Sequence, residues 1–189
     1  MRKFSVRPTL TLRGREFKGL RGWAGKPTHP PLTDFPVAAY VLGAVFDVIA
    51  MFGRHHTWAR DFFRAGTFVF IGGFAVSLLA ALTGFWDWLR STERGTQARR
   101  TANTHAWTMM IVTTLALVDI GLRLNAYDTR THPSIAILVL SVVVAVLVAV
   151  GATFGGSLVF EYGFNVETAA DSPAWHPSET DVFPGDHKT

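Results

Sequence analysis

The chain has 189 residues, 49% of them hydrophobic and 17% charged, with a net charge of +4 and no cysteine. A soluble domain averages nearer a quarter charged, so length and composition point to one membrane domain. The lack of cysteine excludes disulfides and Cys-ligated zinc, iron–sulfur or c-type haem centres.

Charge is unevenly spread. Eight Lys/Arg precede Pro36 against Glu16 and Asp34, whereas after Glu161 only Lys188 opposes Glu167, Asp171, Glu179, Asp181 and Asp186. A basic head and an acidic tail fit contacts with anionic lipid or a protein partner. No base-stacking motif accompanies the basic residues, so nucleic acid is not an expected partner. The expected division is a basic arm over 1–27, a membrane domain over 28–166 and an acidic tail over 167–189.

Residues 1–27 hold no apolar core of signal-peptide length, so no cleaved segment is expected. Thr9 to Leu12 alternates briefly, and Phe17, Leu20 and Trp23 follow among Lys and Arg, as in an arm lying on a membrane or a partner. Four apolar runs come next, at Pro36–Gly53, Ala65–Leu89, His105–Leu122 and Ser134–Phe160. About 20 helical residues cross a bilayer core, and no alternating strand pattern appears. Backbone groups in lipid must be satisfied internally, so the expectation is an all-α integral membrane four-helix bundle.

The head and the 90–104 loop share one side and carry twelve Lys/Arg, against Arg54, Arg60, Arg64, Arg123 and Arg130 on the other. The positive-inside rule then puts both termini in the cytoplasm, with the chain in the cytoplasmic (inner) membrane. Trp23, Trp86, Trp88 and Trp107 belong to one aromatic belt and Trp58, Phe62 and Phe63 to the other. Helix packing is expected at small residues four apart: Ala39/Gly43, Gly73/Ser77/Ala81, Ala80/Gly84 and Gly151/Gly155. Asp47 and Asp119 lie within the first and third runs. Acids there face the bundle interior with a partner, and Arg123, one turn after Asp119, and Arg64 are the available cations. A structural pairing is favoured over a proton path, because no chain of acids or histidines continues one. A faint repeat of a helical hairpin is visible, but aligning Asp47 with Asp119 gives unequal spacings of 18 and 14 residues from His29 and His105.

Several short motifs resemble the DUF2231 membrane family. They are His29-Pro30-Pro31-Leu32-Thr33-Asp34-Phe35-Pro36, Ala81-Leu82-Thr83-Gly84 with Asp87, His105-Ala106, and Gly155-Gly156-Ser157-Leu158-Val159-Phe160 leading to Gly163 and Val166. The resemblance spans roughly Lys26 to Val166. It implies a four-helix prokaryotic membrane domain of undetermined function. Relatives fused to Rieske-type or cytochrome c-like domains imply redox surroundings. Many members carry histidine where this chain has Asp34.

An even number of crossings separates the first helix entrance from the third, so His29, Asp34, Asp87, His105 and Glu161 are expected at one end. His105, read as opening its helix, meets a dipole that disfavours a positive imidazole. Two histidines could ligate b-type haem, or join Asp34 and Asp87 around a transition-metal ion. The plainer alternatives make Asp34 the N-cap of the first helix and make His29, His105 and Asp87 a hydrogen-bonded latch. His55, His56 and His132 fall on the opposite side, and His176 and His187 in the tail. No nucleophile elbow, P-loop, dinucleotide fingerprint or zinc-protease motif is present, so no stand-alone enzyme is expected. Two functions remain: an electron-transfer membrane protein with haem or metal at its cytoplasmic end, or a cofactor-free accessory subunit of a larger membrane complex. In the second, arm and tail would wrap the partner, with Trp175 and Phe183 as anchors.

Overall fold

A computed structural model describes Leu10–Leu12, Arg15–Phe17 and residues 28–90 and 94–164. Four helices dominate: α1 (His29–Phe52), α2 (Ala59–Arg90), α3 (Gln97–Ala126) and α4 (Ile135–Phe160). Two short strands, β1 (Leu10–Leu12) and β2 (Arg15–Phe17), pair antiparallel with Leu10 opposite Phe17 and Leu12 opposite Arg15. The brief alternation at Leu10–Leu12 thus reads out as a small hairpin added to an all-α domain. Most of the basic arm and the acidic tail, including Trp175 and Phe183, lie outside the described residues.

The first three helices are longer than their apolar runs. Thr96 caps α3, its hydroxyl accepting from the Arg99 N–H at 3.2 Å, so the polar stretch Gln97–Thr104 is already helical. His105 therefore sits two turns inside α3 and does not open it, which removes the dipole argument for its charge state. Similarly α1 starts at His29, with prolines in its first turn, where a missing N–H costs nothing. Thr28 is its N-cap, without a side-chain bond, so Asp34 is not a cap but a helical residue of the second turn. Pro36 lies inside α1 and leaves the Leu32 carbonyl without its helical donor. Ser134 caps α4, accepting from Ile137 N–H at 3.3 Å.

Each helix packs antiparallel on the next, and α4 returns against α1, giving an up-down-up-down bundle. All four helices are long and apolar enough to cross a membrane. At 1.5 Å per residue, α2 with its 32 residues extends well beyond the ~30 Å of hydrocarbon. Large apolar side chains point outward along the bundle, among them Phe68 (63% exposed), Leu82 (70%) and Ile135 (74%), a surface suited to lipid. Inside, Tyr40, Phe70, Val112, Ala116, Ile120, Val144 and Val148 form the main core, and Ala50, Phe63, Ala126 and Ile137 a second one toward the α1–α2 turn. The small residues do what close approach requires. A Cβ on Gly73 would come within 2.8 Å of the Ala39 Cβ, so α1 and α2 meet at their glycine–alanine seam.

Candidate functional site

At the end where α1 begins and α2 finishes, His29 and His105 face each other. Their ring centroids are 6.2 Å apart and their planes cross at 81°. Both side chains are half-buried. His29 Nδ1–H donates to the Ala80 carbonyl on α2 at 2.9 Å, with the Thr83 hydroxyl 3.4 Å from the same nitrogen. His105 Nδ1–H donates to the Gly151 carbonyl on α4 at 2.8 Å. A carbonyl can only accept, so Nδ1 carries the hydrogen in both rings. In the neutral imidazole this leaves the lone pair on Nε2.

Each ring also rests on a glycine one turn beyond its carbonyl partner. A Cβ on Gly84 would lie 2.5 Å from His29 Cε1, and one on Gly155 would lie 3.1 Å from His105 Cε1. The Ala80/Gly84 and Gly151/Gly155 pairs, expected to be helix-packing motifs, are thus the seats of the two imidazoles. At Gly84 a side chain would run into the ring, whereas at Gly155 it would press on the ring closely enough to need a small shift.

These contacts reveal the repeat. His105 follows His29 by 76 residues, and Arg123 follows Asp47 by the same 76. Gly151 and Gly155 follow Ala80 and Gly84 by 71. The α1–α2 and α3–α4 hairpins therefore present matching positions to one another, and the residue equivalent to Asp47 is Arg123. Pairing Asp47 with Asp119 hid this register. The available signal was a common spacing of 18 residues from each histidine to a charged residue of either sign.

The remaining candidates are placed as follows. Asp34 is exposed, five residues along α1 from His29. At 3.6 residues per turn that is roughly 140° around the helix, so it does not share the histidine's face. Asp87 is buried (4% exposed) on α2, three residues beyond Gly84 and thus on the side of α2 that seats His29. Glu161 caps α4 at the same end, exposed, and accepts from the Ser157 hydroxyl at 3.0 Å. Among the described residues, no three or more His, Cys, Asp or Glu side chains are grouped to hold a metal ion. Neighbouring contacts fasten this end: Trp88 Nε1–H donates to Asn103 at 2.7 Å, and Arg99 donates to the Trp88 carbonyl at 2.6 Å.

Toward the other end, Asp47, Asp119 and Arg123 are fully buried. Arg123 donates from Nε to Asp119 Oδ2 at 2.6 Å and from both terminal nitrogens to the two oxygens of Asp47. Its guanidinium lies over the Phe70 ring at 4.3 Å. One arginine therefore serves both acids. Arg64 instead pairs with Asp128 in the α3–α4 connection at 3.4 Å and lies over the Tyr127 ring. Arg123, counted above with the loop cations, is an interior residue and drops out of the charge comparison between the two sides.

Comparison with protein families matches most of the chain. The family model described as "Predicted membrane protein (DUF2231)" covers residues 25–168. No curated protein matches the chain. No solved structure matches it.

Proposed function

The chain belongs to the DUF2231 family of membrane proteins, and from that premise we propose that it is a redox protein whose His29 and His105 hold the iron of a b-type haem. The observation that carries this is the paired imidazole geometry. Both Nδ1–H groups are tied to carbonyls of the neighbouring helix, an arrangement that in metal proteins fixes the ring and raises the basicity of the ligating Nε2. The two rings face each other with centroids 6.2 Å apart, so both could serve one iron held between the hairpins.

Haem is preferred over a bare transition-metal ion because it would need few ligands from the chain. Two protein ligands then suffice, which suits a site with two gathered histidines and Asp34 turned elsewhere. When bound, the group supplies a one-electron couple, while the chain supplies the two imidazoles and their orientation. The charge count between the two sides supports an orientation with this end and both termini in the cytoplasm.

A second reading rests on a specific observation too. Each histidine already has a carbonyl partner and a glycine seat within its own hairpin, so the pair is satisfied without any ligand. In that case the protein is an accessory subunit and each histidine fastens the two helices of its own hairpin. The absorbance spectrum and metal content of protein purified from its own membranes separate the readings. A Soret band with one iron per chain supports the first, and a blank spectrum without stoichiometric metal supports the second.

A further inference from the structure

The buried ion cluster is separate from the histidine pair, and its charges do not balance. Asp47 and Arg123 occupy matching positions of the two hairpins and satisfy each other, both carboxylate oxygens accepting from the guanidinium. Asp119 is surplus to that pair. The position matching it in the first hairpin, 76 residues earlier, is Gly43, so no second cation answers it. With both acids ionised the cluster would carry a net negative charge in the apolar interior of a membrane bundle.

One atom marks where that charge would sit. Asp119 Oδ2 accepts from Arg123, but Asp119 Oδ1 is buried and has no hydrogen-bond partner. The side chain is 0% exposed. Among the described residues, the groups around the cluster offer no other charge. From α1 come Asp47 and the Gly43 backbone, from α2 Gly66 and the Phe63 and Phe70 rings, from α3 Asp119 and Arg123, and from α4 the Ser141 side chain beside Asp47. Arginine does not give up its proton in proteins, and both oxygens of Asp47 are occupied. A metal cation is a poor fit, since a hard cation takes six or more oxygen ligands at close range and no three-ligand group is present among the described residues.

We propose that the Asp47–Arg123–Asp119 cluster is a binding site for one proton, held on Oδ1 of Asp119. The step is the addition of a proton to a carboxylate oxygen, which turns a cluster of net charge −1 into a neutral one. A neutral hydroxyl without a partner forgoes a hydrogen bond, whereas an anionic oxygen in that place would forgo the solvation of a charge, which is far more costly. The proton is stored and not relayed, because among the described residues no second acid or histidine continues from Oδ1.

The test is infrared spectroscopy of the full chain in detergent at neutral pH. Exposed carboxyls are ionised there and do not give the carbonyl stretch of a protonated acid. The wild-type protein should show that stretch, moving on transfer to heavy water. Asp119→Asn should remove it. Asp47→Asn should remove it as well, because Arg123 is then left with a single acid that ionises to balance it. Asp87→Asn, at the other end, should leave it in place. Asp119→Glu keeps the acid and reads the same site if an Asn variant does not fold: its band should persist at a shifted position. No acid band in the wild type, a band unchanged in Asp119→Asn or Asp119→Glu, or one that survives in Asp47→Asn would overturn the proposal.

Discussion

Arg123 grips Asp47 through both terminal nitrogens across the bundle, joining two residues 76 positions apart that occupy the same place in successive hairpins. All three members of the cluster are out of contact with solvent, so its integrity depends on charge pairing and not on hydration. Arg123→Met leaves two buried carboxyls facing each other. It should cost about 3–5 kcal/mol, the range for breaking a buried pair by removing one partner. Arg123→Lys keeps the charge but loses the planar fork and should fall between wild type and Arg123→Met. Unfolding midpoints in a fixed detergent check the order.

The histidine seats make a finer prediction. A methyl on Gly84 collides with His29 at 2.5 Å, whereas one on Gly155 meets His105 at 3.1 Å, where a small movement relieves it. Gly84→Ala should therefore displace His29, cost about 1–3 kcal/mol as overpacking does, and lower any haem occupancy. Gly155→Ala should do each of these less. Equal effects in the two variants, measured by unfolding and by absorbance per chain, would mean that the glycines do not position the rings.

Orientation can be read directly because the chain has no cysteine of its own. Arg94 and His55 are exposed at opposite ends of the bundle. A single cysteine at Arg94 should react with a membrane-impermeant thiol reagent only in inside-out vesicles, and one at His55 only in intact cells. The reverse pattern would turn the protein over and place the histidine pair outside the cytoplasm.

Much of this fold was legible in the sequence because lipid imposes a simple rule: apolar runs of sufficient length become helices. Helix ends were less legible. Hydropathy marks where residues stop favouring lipid, whereas the helix starts at its cap, and Thr96 lies nine residues before the apolar boundary at His105. The nearness of His29 and His105 followed from counting crossings. Their partners did not, since Ala80 and Gly151 contribute backbone carbonyls that a sequence does not distinguish from any other. The shared use of Arg123 was hidden for a different reason. The two hairpins keep the position of the charged residue but reverse its sign, so residue identity matches Asp47 to Asp119 and obscures the 76-residue register.

The measurement that bears most directly on the central claim is the visible spectrum of the protein purified from its native membrane, beside His29→Ala and His105→Ala. Each histidine holds an equivalent place in its hairpin, so the account predicts a Soret band in the wild type and its loss in both variants. Replacing either ligand leaves a single imidazole for the iron. A wild-type protein that shows no Soret band and no stoichiometric metal would contradict the account. So would a Soret band that both substitutions leave unchanged.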